Sequence, residues 1–330
     1  MKVLIDHNFP FLLAHGGLQI QIERTKSALE AHGIEVEYLK WYDESQRGDI
    51  IHFFGRAAPI HIRFAQAKGM KYVMSDLLTG QGSRPLSLLR MQGLFNRAFE
   101  LAMPSIFRDM PRWTSYREAD AVFAVTPYEA RLMKILFRAT PSRLHVVTVG
   151  IDDEFFLPKS TKKDEYLVST ATIHPRKRNL ETAEAAVKAG VRMVFTGKPY
   201  ADTDEYYIRF RRVVESNPTL LKYFGFLPSR ANLAEIYHSA RGFVLLSTME
   251  SLSASALEAS AARCPLLLSD LPWARDTFGA KASYCSANDL SGMSIALKDF
   301  FDNAPTLPCP PPPPTWLAVG KQIAQIYRII

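Results

Sequence analysis

The chain has 330 residues, of which 47% are hydrophobic and 22% charged, enough for two ordinary domains with sizeable cores and too apolar for a disordered chain. Its net charge of +7 suits an anionic substrate, an anionic membrane surface or nucleic acid, but the basic residues are scattered without interleaved aromatics or a nucleic-acid motif, so nucleic acid is set aside as a partner. No apolar run reaches the roughly 20 residues of a membrane span. Met1-Lys2-Val3-Leu4-Ile5-Asp6 reads as a strand rather than a signal peptide, and Cys264, Cys285 and Cys309 show no metal or disulfide spacing, which fits a reducing cytoplasm.

The elements alternate strand and helix, as parallel sheets covered on both faces require. Val3-Leu4-Ile5 is a first strand. Gly16-Gly17 follows a loop and opens a helix with Leu18, Ile22 and Leu29 on one stripe, ended by Gly33. Strands are expected over 34–39, 49–54 and 71–74, with a helix over 59–68 stopped by Gly69. Segment 84–113 is rich in Arg, Leu, Phe and Met (Arg84, Leu88, Arg90, Leu94, Phe95, Arg97). It reads either as a helical excursion shaping the acceptor side or as a basic amphipathic helix on anionic lipid. Strands over 121–125 and 145–149 close the first half.

The second half restarts the rhythm. A strand over 166–170 leads to a helix over 179–189 closed by Gly190, then a strand over 191–196 ending at Gly197. Phe224-Gly225-Phe226 and a helix from Asn232 follow. Charged and proline-containing sequence (Pro158, Lys159, Lys162, Lys163, Asp164) breaks the periodicity and places the domain boundary near Gly150 to Thr161. The expected units are residues 1–155, 156–307, and a tail over 308–330. In that tail Pro308 to Pro314 forms a stiff extended arm, with an SH3-type ligand as the less favoured reading, and Trp316 to Ile330 forms a last helix.

The most informative stretch lies between an apolar strand over 243–247 and the apolar run Pro265-Leu266-Leu267-Leu268. There Glu250 and Glu258 stand eight residues apart, the second inside a helix opened by Ser253, Ala254 and Ser255. The unpaired N–H groups of a helix start can hold a diphosphate, and both carboxylates can point into one cleft. Pro175-Arg176-Lys177-Arg178-Asn179 supplies cations at the start of another helix. Asp202-Thr203-Asp204 resembles a metal-binding pair but precedes a helix and reads as an N-cap.

Glu250-Ser251-Leu252-Ser253-Ala254, Leu257-Glu258-Ala259 and Arg263-Cys264-Pro265-Leu266-Leu267 resemble the Glu-x7-Glu signature of GT-B fold retaining glycosyltransferases of the GT4 type. Serine and arginine stand where that signature has glycines. Asp49-Ile50-Ile51-His52, Ala119-Asp120-Ala121-Val122, Gly150-Ile151-Asp152 with Phe155, and Phe224-Gly225-Phe226-Leu227 extend the resemblance in order along most of the chain.

The resemblance implies two Rossmann-like doubly wound parallel-sheet domains facing across a cleft, an α/β fold in which the last helix crosses back to the first domain. It implies transfer of a sugar from a nucleotide-sugar to an acceptor hydroxyl with retained anomeric configuration, in glycan or glycoconjugate biosynthesis, with domain closure on the ligands. In that family Gly16-Gly17 would line the donor, although an ordinary tight turn is the other reading. Lys177, with Arg176 in place of an arginine nearer the strand, would neutralise the diphosphate. Glu250 would approach the sugar hydroxyls, Glu258 the ribose, Ser253, Ala254 and Ser255 would offer N–H groups, and Gly197 and Leu227 would border the nucleotide. Ser75 stands where many relatives have a histidine, with Asp76 as a replacement or a cap. The resemblance implies no cofactor and no metal; the cysteines point to a cytoplasmic enzyme, and for 84–113 the helical excursion is the favoured reading, with peripheral membrane contact as the other. A non-catalytic nucleotide-sugar-binding protein is the alternative, motivated by Ser75 and the replaced glycines.

Overall fold

The computed structural model describes the chain apart from Phe9, residues 13–15, Ser105, Ile106, residues 158–162 and residues 287–288. The linker residues Pro158, Lys159 and Lys162 named above lie outside the described residues. The chain divides into two compact units, Met1–Gly150 with Pro314–Ile330, and Ile151–Pro313.

The first unit runs β1 (Lys2–His7), α1 (Gly17–Glu30), β2 (Glu35–Tyr38), β3 (Ile50–Phe54), α2 (Pro59–Ala67), β4 (Lys71–Ser75), α3 (Thr79–Gly82), α4 (Leu86–Ala102), α5 (Ser115–Glu118), β5 (Ala121–Ala124), α6 (Pro127–Phe137) and β6 (Leu144–Val146). The second runs β7 (Leu167–Thr170), α7 (Asn179–Ala189), β8 (Met193–Thr196), α8 (Glu205–Glu215), β9 (Leu221–Tyr223), α9 (Arg230–Ser239), β10 (Gly242–Leu245), α10 (Ala254–Ala261), β11 (Leu266–Ser269), α11 (Pro272–Phe278), β12 (Ser283–Cys285) and α12 (Leu290–Asn303). The last helix, α13 (Trp316–Ile329), belongs to the first unit. The strand after α8 is Leu221–Tyr223, and Phe224–Phe226 lies in the loop after it, where Gly225 takes a left-handed φ of 67°. Among the described residues no helix is long and apolar enough to cross a membrane.

Each unit holds a six-stranded sheet, in the orders β2-β1-β3-β4-β5-β6 and β12-β11-β10-β7-β8-β9. The pairings within both sheets are parallel. Successive side chains of a strand point to opposite faces, so short continuous apolar runs serve two cores at once. Phe53 joins the core with Met74, Leu89 and Leu132, while its neighbour Phe54 joins the one with Ile5, Ile22 and Leu29. In both sheets the strand order reverses beside the first strand, between β1 and β3 and between β7 and β10. Ligands of open parallel sheets bind outside the carboxyl ends of the strands at such points.

The amphipathic helix α13 buries Val319, Ile323 and Tyr327 against α1 and the first sheet. Its Tyr327 hydroxyl lies 2.6 Å from Nδ1 of His52, whose Nε2 lies 2.7 Å from the Ser75 hydroxyl. A neutral ring has one donor and one acceptor for these two hydroxyls. Burial lowers the His52 pKa from 6.5 to about 3. The neutral ring therefore favours folding above pH 6.5, and that contribution is lost as the pH falls through about 3. Melting temperatures measured from pH 7 down to pH 3 are expected to drop more steeply for the wild type than for His52→Gln. Parallel curves would show that His52 carries none of the acid sensitivity.

Candidate active site

The site begins with two loops of the second unit, leaving the carboxyl ends of β7 and β10. The first descends through a short 3-10 turn, Pro175–Lys177. His174 shapes it: its Nδ1 accepts from the Arg176 N–H at 3.1 Å, and its own N–H donates to Oδ1 of buried Asn179 at 3.2 Å. The second loop is fastened to the first where the Thr248 N–H donates to the Arg176 carbonyl at 2.9 Å.

That fastening brings Glu250 to the cations. Lys177 Nζ donates to Glu250 Oε1, and Arg176 Nη1 lies 3.0 Å from Glu250 Oε2 while donating to the Met249 carbonyl at 2.8 Å. Glu250 is 5% exposed and Lys177 is largely buried. Burial lowers the Lys177 pKa, Glu250 opposes that shift, and Arg176 adds to it. Two cations around one carboxylate leave a formal charge of +1 at the reversal of strand order.

Four residues beyond Glu250 the helix α10 begins. Ser253 is its N-cap, with Oγ accepting from the Ala256 N–H at 3.2 Å and lying 3.0 Å from the Ser255 hydroxyl. Its carbonyl takes the Leu257 N–H. Helix geometry leaves the N–H groups of Ala254 and Ser255 without intrahelical acceptors.

Glu258, on the next turn, has a different setting. Its Oε1 accepts from Arg230 Nη2 and its Oε2 from the Tyr237 hydroxyl at 3.0 Å. Arg230 also donates through Nε to Asp152 at 2.7 Å, and its guanidinium lies 4.7 Å from the Phe155 ring centroid. Burial raises the Glu258 pKa, and Arg230 opposes the rise. Burial works against the Arg230 charge, but Glu258 and Asp152 prevail and raise its pKa. Nothing in the sequence marks Arg230, and Tyr237 is marked only as the end of Ala234-Glu235-Ile236-Tyr237, a further segment of the resemblance. Asp152 and Phe155 had been noticed only as an interdomain motif.

Gly197 follows β8 with a φ of 129°, its N–H donating to the Gly225 carbonyl at 2.9 Å. A Cβ there would stand 1.9 Å from the Ala171 carbonyl oxygen, so glycine is required for the chain after β8 to pass this close to the chain after β7. Leu227 is half-buried in that loop. Gly16 and Gly17 belong to the first unit, at the start of α1, with open space where a Cβ would sit on either. Ser75 ends β4 and contacts His52, whereas Asp76 accepts from Arg56 Nε at 3.2 Å and from the Tyr116 hydroxyl. Asp204 caps α8, accepting from the Tyr206 N–H at 2.8 Å.

Residues 151–300 match the family model of glycosyl transferases group 1. The match covers most of the second unit, with Arg176, Lys177, Arg230, Glu250 and Glu258 inside it. Among solved structures, a sucrose-phosphate synthase from Thermosynechococcus elongatus superposes with a TM-score of 0.69 at 16% identity, covering 100% of this chain and 99% of that one. The Anabaena protein HepE in complex with UDP and glucose gives a TM-score of 0.68 at 13% identity, with 100% of both chains covered. A glycosyltransferase from Rickettsia africae gives 0.63 at 12% identity, covering 99% and 98%. No curated protein matches the chain by sequence. The likeness shows the fold, two Rossmann-like parallel-sheet units of the GT-B type.

Removing Arg230 would strand two buried carboxylates, Glu258 and Asp152. Arg230→Ala is expected to cost about 3–5 kcal/mol of stability, read as a lower urea midpoint for the second unit. An unchanged midpoint would mean that solvent reaches both acids.

Proposed function

We propose that this chain is a glycosyltransferase that moves a sugar from a nucleotide-diphosphate sugar to an acceptor hydroxyl with retention of configuration. The observation that carries the proposal is the Lys177–Glu250–Arg176 cluster beside the start of α10, at the reversal of strand order inside the segment with the group 1 match. The donor is assigned to the second unit and the acceptor to the first.

The diphosphate is assigned to the N–H groups of Ala254 and Ser255 and to Lys177 and Arg176. The cations leave Glu250 in part and take up the negative charge that builds on the leaving group. Glu250, released toward the sugar, accepts from its hydroxyls. Glu258 keeps Arg230 and Tyr237 and still has lone pairs for a ribose hydroxyl. Gly197 and Leu227 border the base. With two cations in place the leaving group needs no metal and no cofactor, so activity is expected to survive EDTA. No side chain is assigned as a nucleophile, and retention follows from departure and attack on one face of an oxocarbenium-like state.

HepE structures hold UDP and UDP-glucose, which makes UDP the first nucleotide to test. UDP is expected to raise the melting temperature, and Lys177→Ala to weaken its binding about tenfold or more. Glu250→Ala is expected to abolish turnover, and nuclear magnetic resonance of the wild-type product to show the donor's anomeric configuration. Nucleotide binding without turnover on any acceptor would instead mark a binding protein.

A peripheral contact with an anionic membrane from the cytoplasmic side is part of the same reading. The outer face of α4 exposes Leu88, Met91, Leu94, Phe95 and Leu101, the last at 83%. Arg90 and Arg97 are exposed on the same helix, and its one acid, Glu100, is tied to Arg117 at 3.1 Å. The inner face holds α4 on the body, with Asn96 donating to the Leu136 carbonyl at 3.0 Å. Phosphatidylglycerol vesicles are expected to sediment the protein and phosphatidylcholine vesicles to leave it in solution, with the paired change Leu94→Ser and Phe95→Ser abolishing capture.

A further inference from the structure

The first unit has its own reversal of strand order, and a pocket stands there. It is open, about 560 Å³, and lined by Asn8, Arg56, Asp76, Met110, Pro111 and Arg112. Asn8 follows β1, Arg56 lies two residues past β3, and Asp76 follows β4. The pocket is therefore at the carboxyl edge of the sheet, where this topology places ligands.

Its charges have a definite sign. Asp76 is engaged by Arg56 Nε at 3.2 Å and by the Tyr116 hydroxyl, and the Arg56 guanidinium rests 4.5 Å from the Phe137 ring centroid. Arg56 and Asp76 thus cancel. Arg112 adds a positive charge: it is exposed, its Nη1 donates to the Arg56 carbonyl at 3.0 Å, and among the described residues it takes part in none of the ion pairs.

Arg112 is also held in place. Its φ is 57°, a left-handed conformation that is unfavourable for a bulky L-residue. Arg138, Arg178 and Arg263 share that conformation, each just after a helix or a short 3-10 turn, and Arg112 likewise ends the turn over 107–111. Arg112 stands in a loop tied down elsewhere. Its N–H donates to the Asp109 carbonyl at 3.0 Å, and the Asp109 carboxylate accepts from Arg63 at 2.7 and 3.2 Å and from the Thr114 hydroxyl at 3.2 Å. Strain kept by surrounding contacts concentrates at ligand sites. Met110, 72% exposed, and Pro111 give the same loop an apolar rim.

We infer that this pocket is the acceptor subsite and that it takes an acceptor bearing an anionic group, a phosphate or a carboxylate, gripped by Arg112 beside Arg56. The planar guanidinium fork matches two oxygens of either group, and the apolar rim receives the uncharged part of the acceptor. The inference rests on the transferase reading and adds the chemical class of its second substrate.

The test uses the full chain saturated with UDP, so that added anions cannot enter the donor site. Binding of glucose, glucose 6-phosphate and glucuronate is measured by calorimetry for the wild type, Arg112→Gln and Arg112→Lys. At least one anionic sugar is expected to bind, glucose to bind at least tenfold more weakly, Arg112→Gln to weaken the anion about tenfold or more, and Arg112→Lys to fall between. Which anion binds distinguishes phosphate from carboxylate. Equal binding of glucose and its charged relatives, an anion affinity unmoved in Arg112→Gln, or no anion binding at millimolar concentration would overturn the inference. UDP affinity, measured first in each protein, should be the same in all three. Loss of UDP binding in the wild type would count against the transferase reading, while the anion arm would still decide the pocket.

Discussion

Glu250 is a carboxylate removed from water, and the second unit sets two cations against it. An isolated buried carboxylate is costly, and cations with directed hydrogen bonds make it tolerable. Lys177 and Arg176 supply them from the end of β7, and Glu250 arrives from the end of β10. These strands are neighbours in the sheet although more than seventy residues separate the paired side chains. The Thr248 to Arg176 backbone bond fixes their spacing. Two cations on one carboxylate leave a positive surplus, and the start of α10 adds partial positive charge of its own. The ends of β7 and β10 therefore hold a site of net positive charge.

The second carboxylate of the pair has the opposite balance. Glu258 and Asp152 share one cation, Arg230, and the Tyr237 hydroxyl completes the set. This cluster joins residues just after the start of the second unit to α9 and α10. It fixes the orientation of Glu258, and a fixed carboxylate loses little entropy when a ligand hydroxyl arrives. The two glutamates thus differ in their surroundings, Glu250 between two cations and Glu258 sharing one cation with Asp152.

The first unit repeats the topology with other chemistry. Its reversal point carries a neutral buried histidine, a compensated Arg56–Asp76 pair and the exposed Arg112, in place of a buried cluster with surplus charge. α13 closes the apolar face beneath, and Tyr327 reaches His52 from it. Core packing and the Arg56–Asp76 pair stand close along the chain, since His52 of β3 precedes Arg56, two residues past that strand, by four residues.

Much of the fold was legible because its determinants are local. Alternating apolar strands and amphipathic helices, Gly33, Gly69 and Gly190 after helices, and the Ser253 and Asp204 caps act within a few residues. The short strand Leu221–Tyr223 after α8 has no apolar run to mark it, and the aromatic Phe224–Phe226 beyond it is loop, with a left-handed glycine at its centre. The site was legible as separate parts: Lys177, Arg176, Glu250 and Glu258 each stand at a position that local pattern marks. Which side chain meets which was decided only by the tertiary structure. Arg230 pairs with an aspartate 78 positions before it and a glutamate 28 positions after it, and Arg56 with an aspartate 20 positions on. Such pairings follow from strand order and from the cost of burying unpaired charge, and neither leaves a periodic trace in the sequence.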